Sequence, residues 1–268
     1  AAGRAIVTRA ASIDAVDGDG TDTPLLTGLN RPGPIAIDHD GALVFVDSAA
    51  FAPASLERLD PGAALATPIA PGAGAGPSGP PRLDARALPI MSVAGLVVDA
   101  AGRLVFAARD AATGATRVLA FDEASGRIDV VLDEQQVSSP SALAFDATGR
   151  LLVADETKGA LRLEPDGAVT TLVTGQAEGI AADAAGHVYV SARNHVVRVA
   201  PNGAVTPFAG SDFPGGPGDG APATQAALGD ARSLAVDAAG DVYFADFTLA
   251  NVRMVDGDGV IHTVASAG

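Results

Sequence analysis

Apolar and polar positions alternate along this chain in one recurring unit: an apolar run closing on Asp, two residues, Gly, then a second alternating run. The unit reads IAIDHDGALVFVD from Ile35 to Asp47, LVVDAAGRLVFAA from Leu96, LAFDATGRLLVAD from Leu143, IAADAAGHVYVSA from Ile180 and LAVDAAGDVYFAD from Leu234. A period of two sends successive side chains to opposite faces, so each run predicts a strand. Asp-x-x-Gly between two strands predicts a hairpin turn. The Asp carboxylate accepts backbone N–H groups two residues on, and Gly supplies the positive φ of a tight reversal. Asp38, Asp99, Asp146, Asp183 and Asp237 are therefore turn residues, and their repetition argues against a catalytic part for them.

A second hairpin follows each unit, most clearly in LRLEPDGAVTTLVTG from Leu161, VVRVAPNGAVTPFAG from Val196 and VRMVDGDGVIHTVAS from Val252. Two hairpins make a four-stranded antiparallel sheet of about forty residues, the size of one β-propeller blade. The first residues, AAGRAIVTRAASIDAVDGDGTDTPLLTG, align with the stretch from Ala184, with Gly3 in the place of the turn glycine. Five complete repeats plus this fragment predict one all-β domain of six blades, the first lacking its innermost strand. The blades fall at about 1–28, 32–70, 90–134, 139–175, 177–210 and 230–266. The alternative is five blades with an N-terminal addition.

The last copy is the most specific. Gly218 to Leu228, GDGAPATQAAL, runs into LAVDAAGDVYFAD and then Asn251-Val252-Arg253, a string that resembles the NHL-repeat consensus. The resemblance implies a propeller, usually of six blades, and no single activity.

Composition suits a globular all-β chain. Of 268 residues, 48% are apolar but only 4% aromatic and none is Trp, so small side chains must fill the spaces between sheets. No stretch sustains a helical period, the longest candidate being Pro222 to Leu228. Lys and Arg total 17 against 32 acidic residues, a net charge of −15, which repels nucleic-acid backbones and anionic lipid. No run is long enough for a transmembrane segment and no signal peptide is visible. Cysteine is absent, so no disulfide reports a compartment. Lys158 is the single lysine, a bias that points to a GC-rich bacterial source. A secreted or periplasmic location is expected, with a cytoplasmic one as the alternative.

In such a ring, chemistry is expected on loops that follow the second strands or lead into the inner ones. These positions give Arg109, Asp110, Asp155, Glu156, Asp246 and Phe247 as candidate ligand-binding residues. Glu178, Arg193, His195 and Arg232 form a candidate catalytic group, in which a Glu base and an Arg clamp would suit an anionic substrate. Two Gly- and Pro-rich insertions, Pro71 to Pro81 and Gly210 to Gly229, are candidate binding walls.

No cofactor is expected, a divalent cation such as calcium being the one candidate. The related amidating-lyase propellers use several His at the channel, but here only His195 falls near the mouth. His39 and His187 sit by the first turns and His262 in an outer strand. Glu178-Gly179 resembles the metal-binding Glu-Gly of gluconolactonase-like propellers. The other matching positions, Pro34, Ala94, Ser141 and Ser233, depart from that pattern, which leaves a weaker set of Glu178 with Asp155 or Asp246. The Asp-Gly-Asp-Gly strings at Asp17 and Asp256 read as turns, and there is no G-x-S-x-G elbow.

Two function classes follow. The first is a rigid recognition module for a protein, peptide or glycan. The second is a small-molecule lyase, isomerase or hydrolase working through the Glu/Arg pair or a divalent ion. Oligomeric state is not legible.

Overall fold

The computed structural model describes residues 5–8, 11–16, 21–30, 32–47, 55–61, 63, 66–69, 90–110, 113–211 and 218–266. The insertion Pro71 to Pro81 and the first Asp-Gly-Asp-Gly string lie outside them. The chain divides into two compact units, one built on residues 5–16 and 22–138 and the other chiefly on residues 139–268.

The first unit begins with β1 (Ala5–Thr8), β2 (Ser12–Val16) and β3 (Asp22–Thr27), which form a three-stranded sheet in that order. Then come two four-stranded sheets. One is β4 (Pro32–Ile37), β5 (Leu43–Asp47), β6 (Ser55–Leu59) and β7 (Thr67–Pro68); the other is β8 (Ile90–Val98), β9 (Leu104–Asp110), β10 (Thr116–Asp122) and β11 (Arg127–Leu132).

The second unit holds three more four-stranded sheets. They are β12 (Pro140–Phe145), β13 (Leu151–Asp155), β14 (Gly159–Leu163) and β15 (Val169–Val173); β16 (Gly179–Ala182), β17 (Val188–Ala192), β18 (His195–Val199) and β19 (Val205–Ala209); and β20 (Ala231–Val236), β21 (Val242–Asp246), β22 (Asn251–Val255) and β23 (Ile261–Ser266). The paired strands are antiparallel neighbours in sequence.

The expectation of six blades is corrected by this topology. The structure has five four-stranded blades, as in the five-bladed alternative, together with the N-terminal three-stranded sheet. Residues 5–27 supply the three strands of that sheet, and the next sheet opens at Pro32.

The repeated Asp residues act as turn residues. Asp146 Oδ1 accepts the N–H groups of Thr148 and Arg150 at 2.8 and 3.1 Å, and Gly149 closes the turn with φ +81°. Asp38, Asp99 and Asp237 repeat both bonds, and Asp183 bonds the N–H of His187 at 2.8 Å. Asp256 does the same in the second Asp-Gly-Asp-Gly string, accepting from Asp258 and Val260.

The second strands are more deeply buried than alternation alone predicts. Leu43, Val44, Phe45 and Val46 are buried in succession, as are Leu151 through Asp155. Both faces of a sheet pack against neighbours, so residues of either parity leave water. Phe45 and Leu43 pack with Ile13 of β2, while Val44 packs with Leu96 and Phe106 of the next sheet. In the second unit, Ala154 and Leu152 pack with Ile180 and Val190, and Tyr189 with Phe244. Burying a Phe such as Phe244 contributes about 1.5–3 kcal/mol. Outer strands are more open to solvent, as in the exposed run from Val205 to Pro207 of β19.

Pro222 to Leu228, the longest helical candidate, contains a single 3-10 turn, Ala223–Gln225. The segment is tied to the last sheet. Gly220 N–H donates to the Ile261 carbonyl at 2.9 Å, Ile261 N–H to Ala221 at 3.0 Å, and Ala223 N–H to Gly259 at 2.8 Å. Among the described residues no helix is long and apolar enough to cross a membrane.

Candidate functional site

The loops following β13 and β21 are built on one acid each. Asp155, with no exposed surface, accepts the N–H of Ser139 at 3.0 Å through Oδ2 and those of Thr157 and Lys158 at 2.9 and 3.0 Å through Oδ1. Asp246 receives Gly229 N–H at 2.8 Å, Asp230 N–H at 3.2 Å and Leu249 N–H at 3.0 Å. Each carboxylate thus fastens the lead-in to its inner strand onto the loop that leaves the second strand. In the first unit, Asp47 holds Asn30 in the same way, while Asp110, at the end of β9 beside Arg109, accepts Thr113 N–H at 2.9 Å.

The sheet β16–β19 has Ala192 where its neighbours have that Asp. Here the lead-in carries Gln176 and Glu178. Glu178 N–H donates to the Ser191 carbonyl at 2.8 Å, and the Gln176 side-chain N–H donates to Glu178 Oε1 at 2.5 Å. Arg193 Nε donates to Gln176 Oε1 at 3.1 Å. Arg193 adopts φ +55°, and its carbonyl accepts the N–H of Ala231, which opens β20. Gly179 is required next to Glu178 because a Cβ there would stand 2.7 Å from Ser191 Oγ and 3.0 Å from Ser233 N.

From β20 and its lead-in come Arg232 and Asp230. Arg232 grips Asp230 Oδ2 through Nε at 2.9 Å and Nη2 at 2.8 Å, and its Nε stands 3.6 Å from Glu178 Oε2. The Arg232 Cζ lies over the Phe247 ring, 5.1 Å from its centre, and Phe247 is 71% exposed. Phe247 N–H donates to the Asp230 carbonyl at 2.8 Å, so the ring is anchored beside the acid. Leu249, two residues on, is also exposed.

Burial raises the pKa of Glu178, and its hydrogen bond with Asp230 and the charges of Asp230 and Glu156 push the same way, while Arg232 opposes. For Asp230, burial works upward, but hydrogen bonds from Arg232 and Glu178 bring its pKa below the usual Asp range. The two carboxyls are thus pushed in opposite directions, Glu178 up and Asp230 down.

The structure therefore brings Glu178, Arg193, Arg232 and Phe247 into one cluster. His195, at the start of β18, lies with Nδ1 3.0 Å from Asn194 Oδ1. Asp155 and Asp246 are engaged by backbone N–H groups, and Glu156 is exposed on the loop after β13. Arg109 and Asp110 belong to the other unit. Asp230 and Gln176 were missed by sequence reasoning. Their signal was the two-residue spacing in Asp230-x-Arg232 and Gln176-x-Glu178, which puts each pair on one side of an extended lead-in. Asp155 and Asp246 each spend carboxylate oxygens on backbone N–H groups, and among the described residues no three His, Asp or Glu are grouped to hold a metal ion.

Solved structures resemble this chain over nearly its whole length. A chain of a nidogen/laminin complex matches with a TM-score of 0.74 at 13% identity, covering 98% of this chain and 93% of that one. The fold is a β-propeller. A gluconolactonase from Xanthomonas campestris matches the propeller at 0.68 and 14% identity, over 91% of this chain and 79% of its own. A virginiamycin B lyase from Staphylococcus aureus matches it at 0.61 and 15% identity, over 97% and 80%. Residues 214–267 of the propeller match the teneurin NHL domain family. No curated protein matches the sequence. At these identities the solved structures show a shared fold across binding proteins and enzymes alike.

Proposed function

We propose that this NHL-type propeller is a recognition module that binds a protein or peptide at the surface formed by Arg232, Phe247, Leu249 and Arg193. The observation that carries this reading is the exposed Phe247 ring held under the Arg232 guanidinium. Aromatic and Arg side chains on a rigid frame are the residues that dominate binding energy at protein interfaces. The nidogen/laminin complex supports the reading as an instance of this fold within a protein assembly.

A second reading, acid–base catalysis by Glu178, draws on the same cluster. Burial and the neighbouring Asp230 shift Glu178 upward, the direction a general acid needs. It ranks second because Oε2 is buried beneath the site, with no open face for a reacting atom.

The test is selection of a random peptide library on the purified chain, followed by affinity measurement on Phe247→Ala and Arg232→Ala. The expected result is peptides whose affinity falls tenfold or more on both variants, with thermal stability unchanged in Phe247→Ala, the loss of one anchor being about 1.4 kcal/mol or more. Peptides that bind parent and variants equally would overturn the assignment of this surface.

A further inference from the structure

Two oxygens of the cluster are buried without a hydrogen-bond donor, Glu178 Oε2 and Asp230 Oδ1. The other oxygen of each carboxyl is served. Gln176 donates to Glu178 Oε1, and Arg232 donates twice to Asp230 Oδ2. Two ionised carboxylates are acceptors only, so they cannot satisfy one another, and an unsatisfied buried acceptor is costly. Both carboxyls face one guanidinium nitrogen, Arg232 Nε standing 2.9 Å from Asp230 Oδ2 and 3.6 Å from Glu178 Oε2. A single proton placed between them serves both oxygens, making Glu178 the donor and leaving Asp230 as the anion that Arg232 grips.

We propose that Glu178 and Asp230 hold one proton between Oε2 and Oδ1, and that its loss draws Arg232 inward from Phe247, so that the recognition surface responds to pH. The regulatory part rests on the recognition reading above; the shared proton does not. The charged groups facing Glu178 are Asp230 and Arg232 from the β20 side and Glu156 from the loop after β13. Those facing Asp230 are Arg232, Glu178 and, from the loop after β17, Arg193. While the proton is present, Arg232 has one carboxylate to satisfy, and its guanidinium stays over the ring. When the proton leaves to solvent, two like charges meet in a buried place. Arg232 Nε, already 3.6 Å from Oε2, is placed to bridge them. The stacked form belongs below the titration of Glu178 and the drawn-in form above it.

The test is a pH titration of the whole chain by carbon NMR of the side-chain carboxyls, read together with the Phe247 ring resonances; neither needs a ligand. Glu178 is expected to titrate above the ordinary Glu range and Asp230 below the ordinary Asp range, each signal also moving in the other's step. The Phe247 signals are expected to move with the Glu178 step. Glu178→Gln keeps a donor toward Asp230 but cannot ionise, so Phe247 is expected to become insensitive to pH over that range. Asp230→Asn is expected to return Glu178 toward its ordinary value. Independent titration of both carboxyls at ordinary values would overturn the shared proton, and a Phe247 ring that ignores the Glu178 step would overturn the switch. A shared proton on a surface that selects no peptide would leave the proton standing and remove the recognition reading.

Discussion

The carboxylate of Asp219 meets the guanidinium of Arg253 at 2.9 Å across 34 residues of chain. Asp219 also accepts the N–H of Thr263 at 2.8 Å and its hydroxyl at 3.0 Å. Arg253 is 4% exposed, and its Nε has no partner, so Asp219 is the counter-charge that keeps a buried cation acceptable. Through this residue the segment leading from Gly218 into the 3-10 turn is strapped to β22 and β23.

Asp219→Ala should therefore destabilise the chain well beyond an ordinary surface change. Removing one partner of a buried pair costs about 3–5 kcal/mol, and the half-exposed Asp219 puts the expectation at the lower end. Arg253→Leu in the Asp219→Ala background should recover part of the loss. Urea unfolding of the two variants checks this, and an Asp219→Ala variant as stable as the parent would refute it.

Acid should attack the turns. Asp38, Asp146, Asp183 and Asp256 all have lowered pKa values in the folded chain. For Asp146, burial works upward but is outweighed by hydrogen bonds from the Thr148 hydroxyl and the Arg150 and Thr148 N–H groups. A lowered acid contributes stability that is present above its unfolded pKa and lost as pH falls through its folded one. Stability should thus decline below about pH 4, and Asp146→Asn should shrink that decline while lowering stability at neutral pH. Thermal melts between pH 2 and 7 measure both, and identical acid profiles for parent and variant would exclude the mechanism.

Alkaline titration offers a reading from just two tyrosines. Burial, with the charge and hydrogen bond of Asp183, pushes Tyr189 up to about 12, and burial and Asp237 raise Tyr243. Ultraviolet absorbance at alkaline pH should show both tyrosinate steps displaced above the ordinary value near 10 in the folded chain. Steps at the ordinary value would mean that the Tyr189–Asp183 contact at 3.1 Å and the Tyr243–Asp237 contact at 3.3 Å are not made.

Gly179→Ala should cost about 1–3 kcal/mol as an overpacked site. Its new methyl would meet Ser191 Oγ and also the backbone nitrogens of Ser233 and Leu234. Adding Ser191→Ala removes the first conflict alone, so the double variant should recover a fraction of the loss. Complete recovery would show that the backbone contacts do not matter.

The strands and first turns were legible because their chemistry is local. Asp146 bonds residues two and four positions on, and that spacing is visible in Asp-x-x-Gly. Asp155 and Asp246 look the same in sequence but bond Ser139 and Gly229, 16 and 17 residues back, so their structural role could not be read from neighbours. The cluster was half legible. Glu178, Arg193, Arg232 and Phe247 occupy loop positions the repeat singles out, whereas Asp230 and Gln176 gain their meaning only once β20 is laid beside β16.

Among the described residues, every sheet pairs strands that follow one another directly in the chain. Short loops close before long ones at little entropic cost, and local pairing makes for rapid folding. Each sheet can therefore assemble as its own stretch of polypeptide emerges from the ribosome, with the apolar face it exposes waiting on the next sheet to arrive.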